Sequence, residues 1–225
     1  MTRMRLWAVV TTLALLIAAC GTSAPPAPQW RGAAQAALAD YIKLRLEGQT
    51  VAATRAYALA QERMRDGGDL DGLHTVLLTR CAMDVALLLP PDCSEFVKRG
   101  DNARAEALAY HAFLTGTLTG SQIAALPERY RAVAASTTDS SLAATISAIP
   151  EPVSRLIATG VATRAGRANE ALLSAGSDSA RQQGWRAAHR AHEEARTRQL
   201  EALGRTVEAA AARARLRALY DPLKQ

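Results

Sequence analysis

Aromatic side chains are scarce in this sequence, and their scarcity limits the folds that it can form. Only 4% of the 225 residues are Phe, Trp or Tyr, whereas long stretches consist of Ala, Leu, Arg and Glu. Ala and Leu head the helix-propensity scale, and residues that favour strands are few. Small side chains also let helix axes approach closely. The composition therefore predicts an all-α protein of tightly packed helix pairs.

Glycine and proline interrupt the helical stretches at fairly even intervals and mark their ends. We predict helices over 31–47, 49–66, 70–89, 93–99, 101–117, 120–135, 140–148, 151–165, 167–175, 178–203 and 206–220. Glycines stand where such a residue would end a helix at Gly48, Gly67, Gly100, Gly120, Gly166 and Gly204. Asp92 and Glu95 have the spacing of a capping box, which would open a helix at Cys93.

The amino terminus has the pattern of a targeting segment. Arg3 and Arg5 precede an uncharged run from Leu6 to Ala19, and Cys20 follows at once. A transmembrane helix needs about 20 predominantly apolar residues, so this run is too short to span a membrane. A basic region, a short apolar region and small residues at the end are typical of a cleaved signal peptide.

The segment Leu16-Ile17-Ala18-Ala19-Cys20 resembles the lipobox of bacterial lipoproteins. The resemblance implies that residues 1–19 are removed and that Cys20 carries lipid, which anchors the chain to a membrane. Several acyl chains together would make that anchoring stable. Gly21 is not the aspartate that favours inner-membrane retention in enteric bacteria, which implies an outer-membrane protein that faces the periplasm. An ordinary secretory signal with a cysteine at its cleavage site is the alternative.

After the signal peptide, the sequence divides into two parts. Residues 20–29 form a lipidated cysteine and a Pro-rich tether, and residues 30–225 form a single α-helical domain. Removal of Arg3 and Arg5 lowers the formal charge from +6 to +4. This mild excess comes without a basic stripe or a stacking element, so we expect no nucleic-acid partner. We also expect no cofactor.

Two cysteines, Cys81 and Cys93, remain for a compartment that the signal predicts to be oxidising. An even pair there favours a disulfide, which would tie the end of one helix to the start of the next across Pro90 and Pro91. Separate buried thiols are a second interpretation. A redox-active pair is a third, although the spacing is not the CxxC of such motifs.

Four helix junctions share a glycine followed five residues later by an alanine: Gly48 and Ala53, Gly100 and Ala105, Gly166 and Ala171, Gly204 and Ala209. The pattern resembles the junction between the two helices of a tetratricopeptide repeat. The resemblance implies stacked antiparallel helix hairpins, either TPR-like or as an irregular α-solenoid, with a groove for a peptide or protein. The uneven spacing of the junctions is also what chance recurrence in an Ala-rich helical protein would give.

Candidate chemistry is sparse. His189, His192 and Glu193 share one side of a predicted helix and are weak candidates for metal ligands, but the pattern is not HExxH and no second helix offers a partner. Packing of both histidines beside an apolar stripe is the other interpretation, and we expect no metal. Glu95 and Glu106 are the acids that we would inspect for glycoside cleavage. No catalytic motif surrounds them.

These features together predict a non-enzymatic, membrane-anchored periplasmic lipoprotein that acts as a helical scaffold. Its partners would be the membrane, through lipid on Cys20, and an envelope protein or peptide. A cell-wall-active enzyme is one alternative, and a structural envelope lipoprotein without a specific ligand is another.

Overall fold

A computed structural model describes residues 29–221. These residues form helices and no strand, which confirms the predicted all-α class. Eleven α-helices and one 3-10 helix, Gly120–Ala125, follow one another along this part of the chain. The α-helices are α1 (Gln29–Glu47), α2 (Thr50–Asp66), α3 (Leu70–Ala86), α4 (Ser94–Arg99), α5 (Ala105–Thr115), α6 (Glu128–Ala135), α7 (Asp139–Ser147), α8 (Pro152–Arg164), α9 (Glu170–Gln182), α10 (Arg186–Ala202) and α11 (Thr206–Tyr220).

The predicted signal peptide, 1–19, and the predicted lipidation site, Cys20, lie outside the described residues. So does the predicted tether up to residue 28. Gln29, its last expected residue, is the first residue of α1. Within 29–221, no helix combines the length and the hydropathy that crossing a bilayer requires.

Side-chain caps and left-handed glycines explain several helix ends. Asp69 opens α3 by accepting a hydrogen bond from the backbone N–H of Gly72 at 2.8 Å. Asn169 opens α9 in the same way, through the N–H of Leu172 at 2.9 Å. Such caps satisfy N–H groups that have no partner within the helix. Three of the predicted terminating glycines have a positive φ, as helix-ending glycines do: Gly48, Gly166 and Gly204.

The predicted helix 120–135 is wrong in one respect, because it is two elements. The 3-10 helix Gly120–Ala125 ends at Leu126, whose backbone is extended, with φ −62° and ψ 151°. The residue before a proline is sterically kept out of the helical region. Pro127 therefore separates the 3-10 helix from α6.

The predicted break between 175 and 178 is also wrong, because α9 continues to Gln182. Gly176 lies inside this helix, where a Cβ atom would collide with the ring of His192. The glycine is needed here for close packing and does not end the helix. The chain turns instead at Gly184, which has a φ of +73°.

Helix α3 is buried along most of its length, and its neighbours surround it. Eleven of its 17 residues are buried. It contacts α1, α2, α4, α5 and α8. Nine of the fourteen residues from Leu73 to Ala86 are apolar, as expected of a helix that is covered on most of its surface.

Consecutive helices pack as hairpins, and two further contacts join helices that are far apart in sequence. The hairpins are α1 with α2, α9 with α10, and α10 with α11. Helix α8 packs on α3, and α10 packs on α1. A linear stack, in which each hairpin contacts only its neighbours, would lack such distant contacts.

The four glycine–alanine junctions differ in packing. Ala53 and Ala209 are each 1% exposed, so in these two junctions the alanine packs into the interior. Ala105 and Ala171 are exposed. The structure therefore gives two of the four junctions the buried alanine that the repeat pattern implies.

A substitution at Gly160 can test the close approach of α8 to α3. A Cβ atom at this position would collide with the carbonyl oxygen of Val85, which is a backbone atom and cannot rotate away. We expect Gly160→Ala to lower the free energy of unfolding by about 1–3 kcal/mol. Gly32→Ala is the control, since a Cβ there has no heavy atom within 4 Å, and it should raise stability by about 0.5–1 kcal/mol.

Urea unfolding followed by circular dichroism measures both changes. Equal effects of the two substitutions would contradict the packing of α8 on α3.

Candidate functional site

Two cavities flank α3, and they differ in size and chemistry. The larger has a volume of about 370 Å³ and the smaller about 230 Å³. Helix α3 contributes to the larger cavity with Asp71, His74, Thr75, Leu78, Thr79, Ala82 and Met83. It contributes to the smaller cavity with Arg80 and Asp84. Opposite sides of one buried helix thus form the walls of both cavities.

The larger cavity has an apolar floor. Ile42 of α1, Leu78 and Met83 of α3, and Val153 and Ile157 of α8 all line it. Its volume is at the lower end of the range for ligand pockets, which are mostly apolar with a few polar groups. The floor can take up an aliphatic group.

Ion pairs stand at the edge of this cavity. Arg104 lies 2.6 Å from Asp71, and Arg129 lies 3.4 Å from Glu151. All four side chains are at least 44% exposed. Water screens such pairs strongly, so their contribution to stability is small.

Two stacked tyrosines and a serine lie beside one of these carboxylates. The rings of Tyr110 and Tyr130 stack with centroids 5.5 Å apart. Ser154 donates a hydrogen bond to Oε2 of Glu151. Burial raises the pKa of both tyrosines, which keeps them as neutral donors.

The smaller cavity is lined largely by charged and hydroxyl groups. Arg45 pairs with Asp84 at 2.9 Å, and both side chains are largely buried. Burial, together with the charge of Asp84, raises the pKa of the neighbouring Tyr41 to about 12. The second oxygen of Asp84 accepts a hydrogen bond from the backbone N–H of Asp92 at 3.1 Å. Each oxygen of the Asp84 carboxylate thus has a partner within the protein.

Arg80 joins the same region to the start of α4. Its guanidinium lies 2.7 Å from Asp92 and 2.6 Å from Glu95. Glu95 also accepts a hydrogen bond from the hydroxyl of Tyr57 at 3.1 Å. Burial, and then the charge of Glu95, raises the pKa of this tyrosine. Glu95 therefore joins α2, α3 and α4.

The predicted capping box at Asp92 and Glu95 is wrong, because Glu95 is engaged by Arg80 and Tyr57. The helix begins at Ser94, one residue later than predicted. Asp92 accepts hydrogen bonds from the backbone N–H and the hydroxyl of Ser94 at 3.1 and 2.6 Å. The sequence pattern found the helix start but not the partner of Glu95.

Cys81 and Cys93 are both buried and lie at disulfide distance. Their Cα atoms are 4.9 Å apart, which is within the range that a disulfide allows. Cys93 directly precedes Ser94, and Cys81 follows Arg80 on α3. A bond here would hold the Pro90–Pro91 segment together with the ion pairs of Arg80.

The predicted weak metal candidates have separate partners. His192 is fully buried, and its Nε2 lies 3.1 Å from the carbonyl oxygen of Ala86. His189 is hydrogen-bonded to the hydroxyl of Tyr220. Glu193 lies 3.5 Å from Arg196. Residues 29–221 contain no group of three or more His, Cys, Asp or Glu side chains placed to hold a metal ion.

The structure does not bring Glu95 and Glu106 together. Glu106 lines the larger cavity, whereas Glu95 binds Arg80 beside the smaller one. Sequence reasoning missed the stacked tyrosines of the larger cavity. A signal was present, because Tyr110 and Tyr130 are two of only five tyrosines in an aromatic-poor chain.

The arrangement as a whole favours binding. An apolar floor, hydroxyl groups in the wall and exposed ion pairs at the edge can hold an amphipathic group in a defined orientation. No protein-family model, no curated protein and no solved structure matches this chain.

His192 should make stability depend on pH. Burial lowers its pKa from 6.5 to about 4, so the folded state holds the neutral ring. The unfolded chain takes up a proton below about 6.5, and we therefore expect stability to fall as the pH drops from 6.5 to 4. The full contribution is on the order of 3 kcal/mol.

Denaturant unfolding at several pH values, compared between the wild type and His192→Gln, isolates this effect from that of the carboxylates. The variant should have a shallower slope over this range. Identical slopes for the wild type and His192→Gln would show that His192 is not held neutral.

Proposed function

We propose that this chain is a lipid-anchored scaffold of a bacterial cell envelope, whose helical domain binds a partner protein or peptide in the larger cavity. Lipid on Cys20 holds it to the outer membrane, where it faces the periplasm. It performs no chemistry of its own.

One observation carries the binding proposal: a cavity of about 370 Å³ with an apolar floor opens between α3, α5, α6 and α8. This volume suits one or two side chains of a partner. Binding energy at protein interfaces is concentrated in such anchoring side chains and the pockets that they fill. Recognition of a short segment therefore fits the site.

The anchor proposal is supported by the lipobox-like segment that ends at Cys20. Attachment to a membrane raises the effective concentration of the domain for partners on the same surface. A site of modest affinity is then sufficient.

We further propose that the fold is a closed, irregular stack of helix hairpins related to tetratricopeptide arrangements. Three hairpins of consecutive helices support it, as do the buried alanines Ala53 and Ala209. The packing of α10 on α1 would close the stack.

The alternatives are less well supported. A cell-wall enzyme needs carboxylates that converge on a substrate, but Glu95 and Glu106 lie apart, and Asp71 and Glu151 each pair with an arginine. A structural lipoprotein without a ligand predicts a featureless polar surface. The larger cavity, with its apolar floor, is inconsistent with a featureless polar surface.

The anchor is tested by intact mass and membrane fractionation of the native protein beside a Cys20→Ala variant. We expect the wild type to lack residues 1–19, carry acyl mass and fractionate with the outer membrane. The variant should carry no acyl mass and should not fractionate with the outer membrane. Mass before and after reduction also reports the bond between Cys81 and Cys93. An unmodified, soluble wild-type protein would refute the anchor.

Two threonines provide a matched test of the cavity. Thr75 is exposed at the larger cavity and Thr54 at the smaller, and each hydroxyl bonds the carbonyl four residues earlier. Thr75→Trp should obstruct the larger cavity and lower recovery of the main crosslinked envelope partner about tenfold. Thr54→Trp should leave recovery unchanged.

Crosslinking in intact cells followed by mass spectrometry measures the recovery. Circular dichroism checks that both variants are folded. Equal recovery from Thr75→Trp and Thr54→Trp would exclude the larger cavity as the binding site.

A further inference from the structure

A buried hydrogen-bond acceptor that no protein group uses belongs to a residue in the wall of the larger cavity. His74 lines the cavity and is 1% exposed. Its Nε2 lies 3.0 Å from the carbonyl oxygen of Arg99. A carbonyl oxygen only accepts, so Nε2 carries the proton and Nδ1 of the neutral ring is an acceptor. Nδ1 is buried and has no hydrogen-bond partner among residues 29–221.

Among the charged groups around this cavity, carboxylates outnumber guanidinium groups by one. Three carboxylates and two guanidinium groups line it. Arg104 pairs with Asp71, and Arg129 pairs with Glu151. Glu106 forms no ion pair with any residue in the described part of the chain. The cavity is thus locally negative, although the whole chain carries a formal charge of +6.

The walls already accommodate a cation beside an aromatic ring. The guanidinium carbon of Arg129 lies 5.9 Å from the ring centroid of Tyr130. This distance is within the range of a cation–π interaction. Ile42, Leu78 and Val153 supply the apolar surface next to these groups.

We propose that the larger cavity recognises an alkylammonium group, as presented by a lysine side chain or by the amino terminus of a peptide. The aliphatic part packs on the apolar floor. The ammonium group donates hydrogen bonds to Nδ1 of His74 and to the carboxylate of Glu106. An ammonium group has three donors and no acceptor, so it can donate to both unused acceptors of the wall. This inference rests on the proposed function and names the part of the partner that is bound.

The test uses n-butylammonium, which reproduces the lysine side chain, with 1-butanol and butyrate as probes of equal aliphatic length. The mature lipoprotein is held in phosphatidylcholine nanodiscs, and empty nanodiscs serve as the blank. The ring ¹⁵N signals of the four histidines are followed by NMR. We expect n-butylammonium to shift Nδ1 of His74 in a saturable way, and butyrate to leave it unchanged.

Glu106 and Glu128 provide a matched pair of variants. Each is an exposed acid in the first turn of its helix, but only Glu106 lines the cavity. Glu106→Gln should weaken n-butylammonium binding about threefold, the range expected of an exposed charge. Glu128→Gln should not change it.

Two peptides distinguish the sources of the amine. One has an acetylated amino terminus and a single lysine, and the other has only its terminal amine. Binding of either, in competition with n-butylammonium, supports the proposal and identifies the source. An equal His74 shift with 1-butanol, or no saturable shift with any amine, overturns it.

The two proposals can fail separately. If partner recovery depends on Thr75 but n-butylammonium does not bind, the cavity binds a protein and the ammonium assignment is wrong. If n-butylammonium binds and Thr75→Trp leaves partner recovery unchanged, the ammonium assignment stands and the proposal that the partner protein binds in the larger cavity is wrong.

Discussion

The burial of α3 is the constraint on which the rest of the structure depends. With aromatic residues at only 4% of the chain, the core cannot be filled by large rings and needs backbones that approach closely. Gly160 lets α8 reach the backbone of α3 at Val85, and Gly176 leaves space for His192, which bonds the carbonyl oxygen of Ala86. Dense contact of this kind leaves little room for adjustment. The walls of both cavities are therefore fixed by the same helix.

The polar end of α3 shows how this helix is held in place. Asp84 and Arg80 are the charged residues near its C-terminal end, and each binds groups from outside the helix. Removing one partner of a buried pair leaves an uncompensated charge, which costs more than the pair contributes. The ion pairs and the adjacent cysteines, Cys81 and Cys93, therefore act mainly to fix the position of the segment that follows α3. The smaller cavity lies in this region, and its polar groups are already bound to each other.

Sequence reasoning found the helices, several of their glycine ends and the proximity of Cys81 and Cys93, because each leaves a local pattern. It failed where a helix end or a side-chain partner depends on contacts with another helix. A glycine that ends a helix and one that lets another side chain approach look the same in a sequence. The sequence therefore predicts a helix end at Gly176, whereas the chain turns at Gly184. The capping box failed for a similar reason, since Glu95 is taken by Arg80 from another helix. The larger cavity draws its walls from segments between Ile42 and Ile157, and no local pattern connects them.

The small size of the larger cavity is compatible with its proposed role if the proposed lipid anchor is present. A pocket of about 370 Å³ encloses only a short group, and small ligands gain limited binding energy. If Cys20 carries lipid, the nine residues from 20 to 28 can extend at most about 32 Å, given about 3.3–3.6 Å per residue. The domain would then stay close to the membrane, and partners on that surface would meet it at a high effective concentration. Weak recognition of an exposed side chain is sufficient under this condition, whereas the same pocket on a freely diffusing protein would need a larger contact.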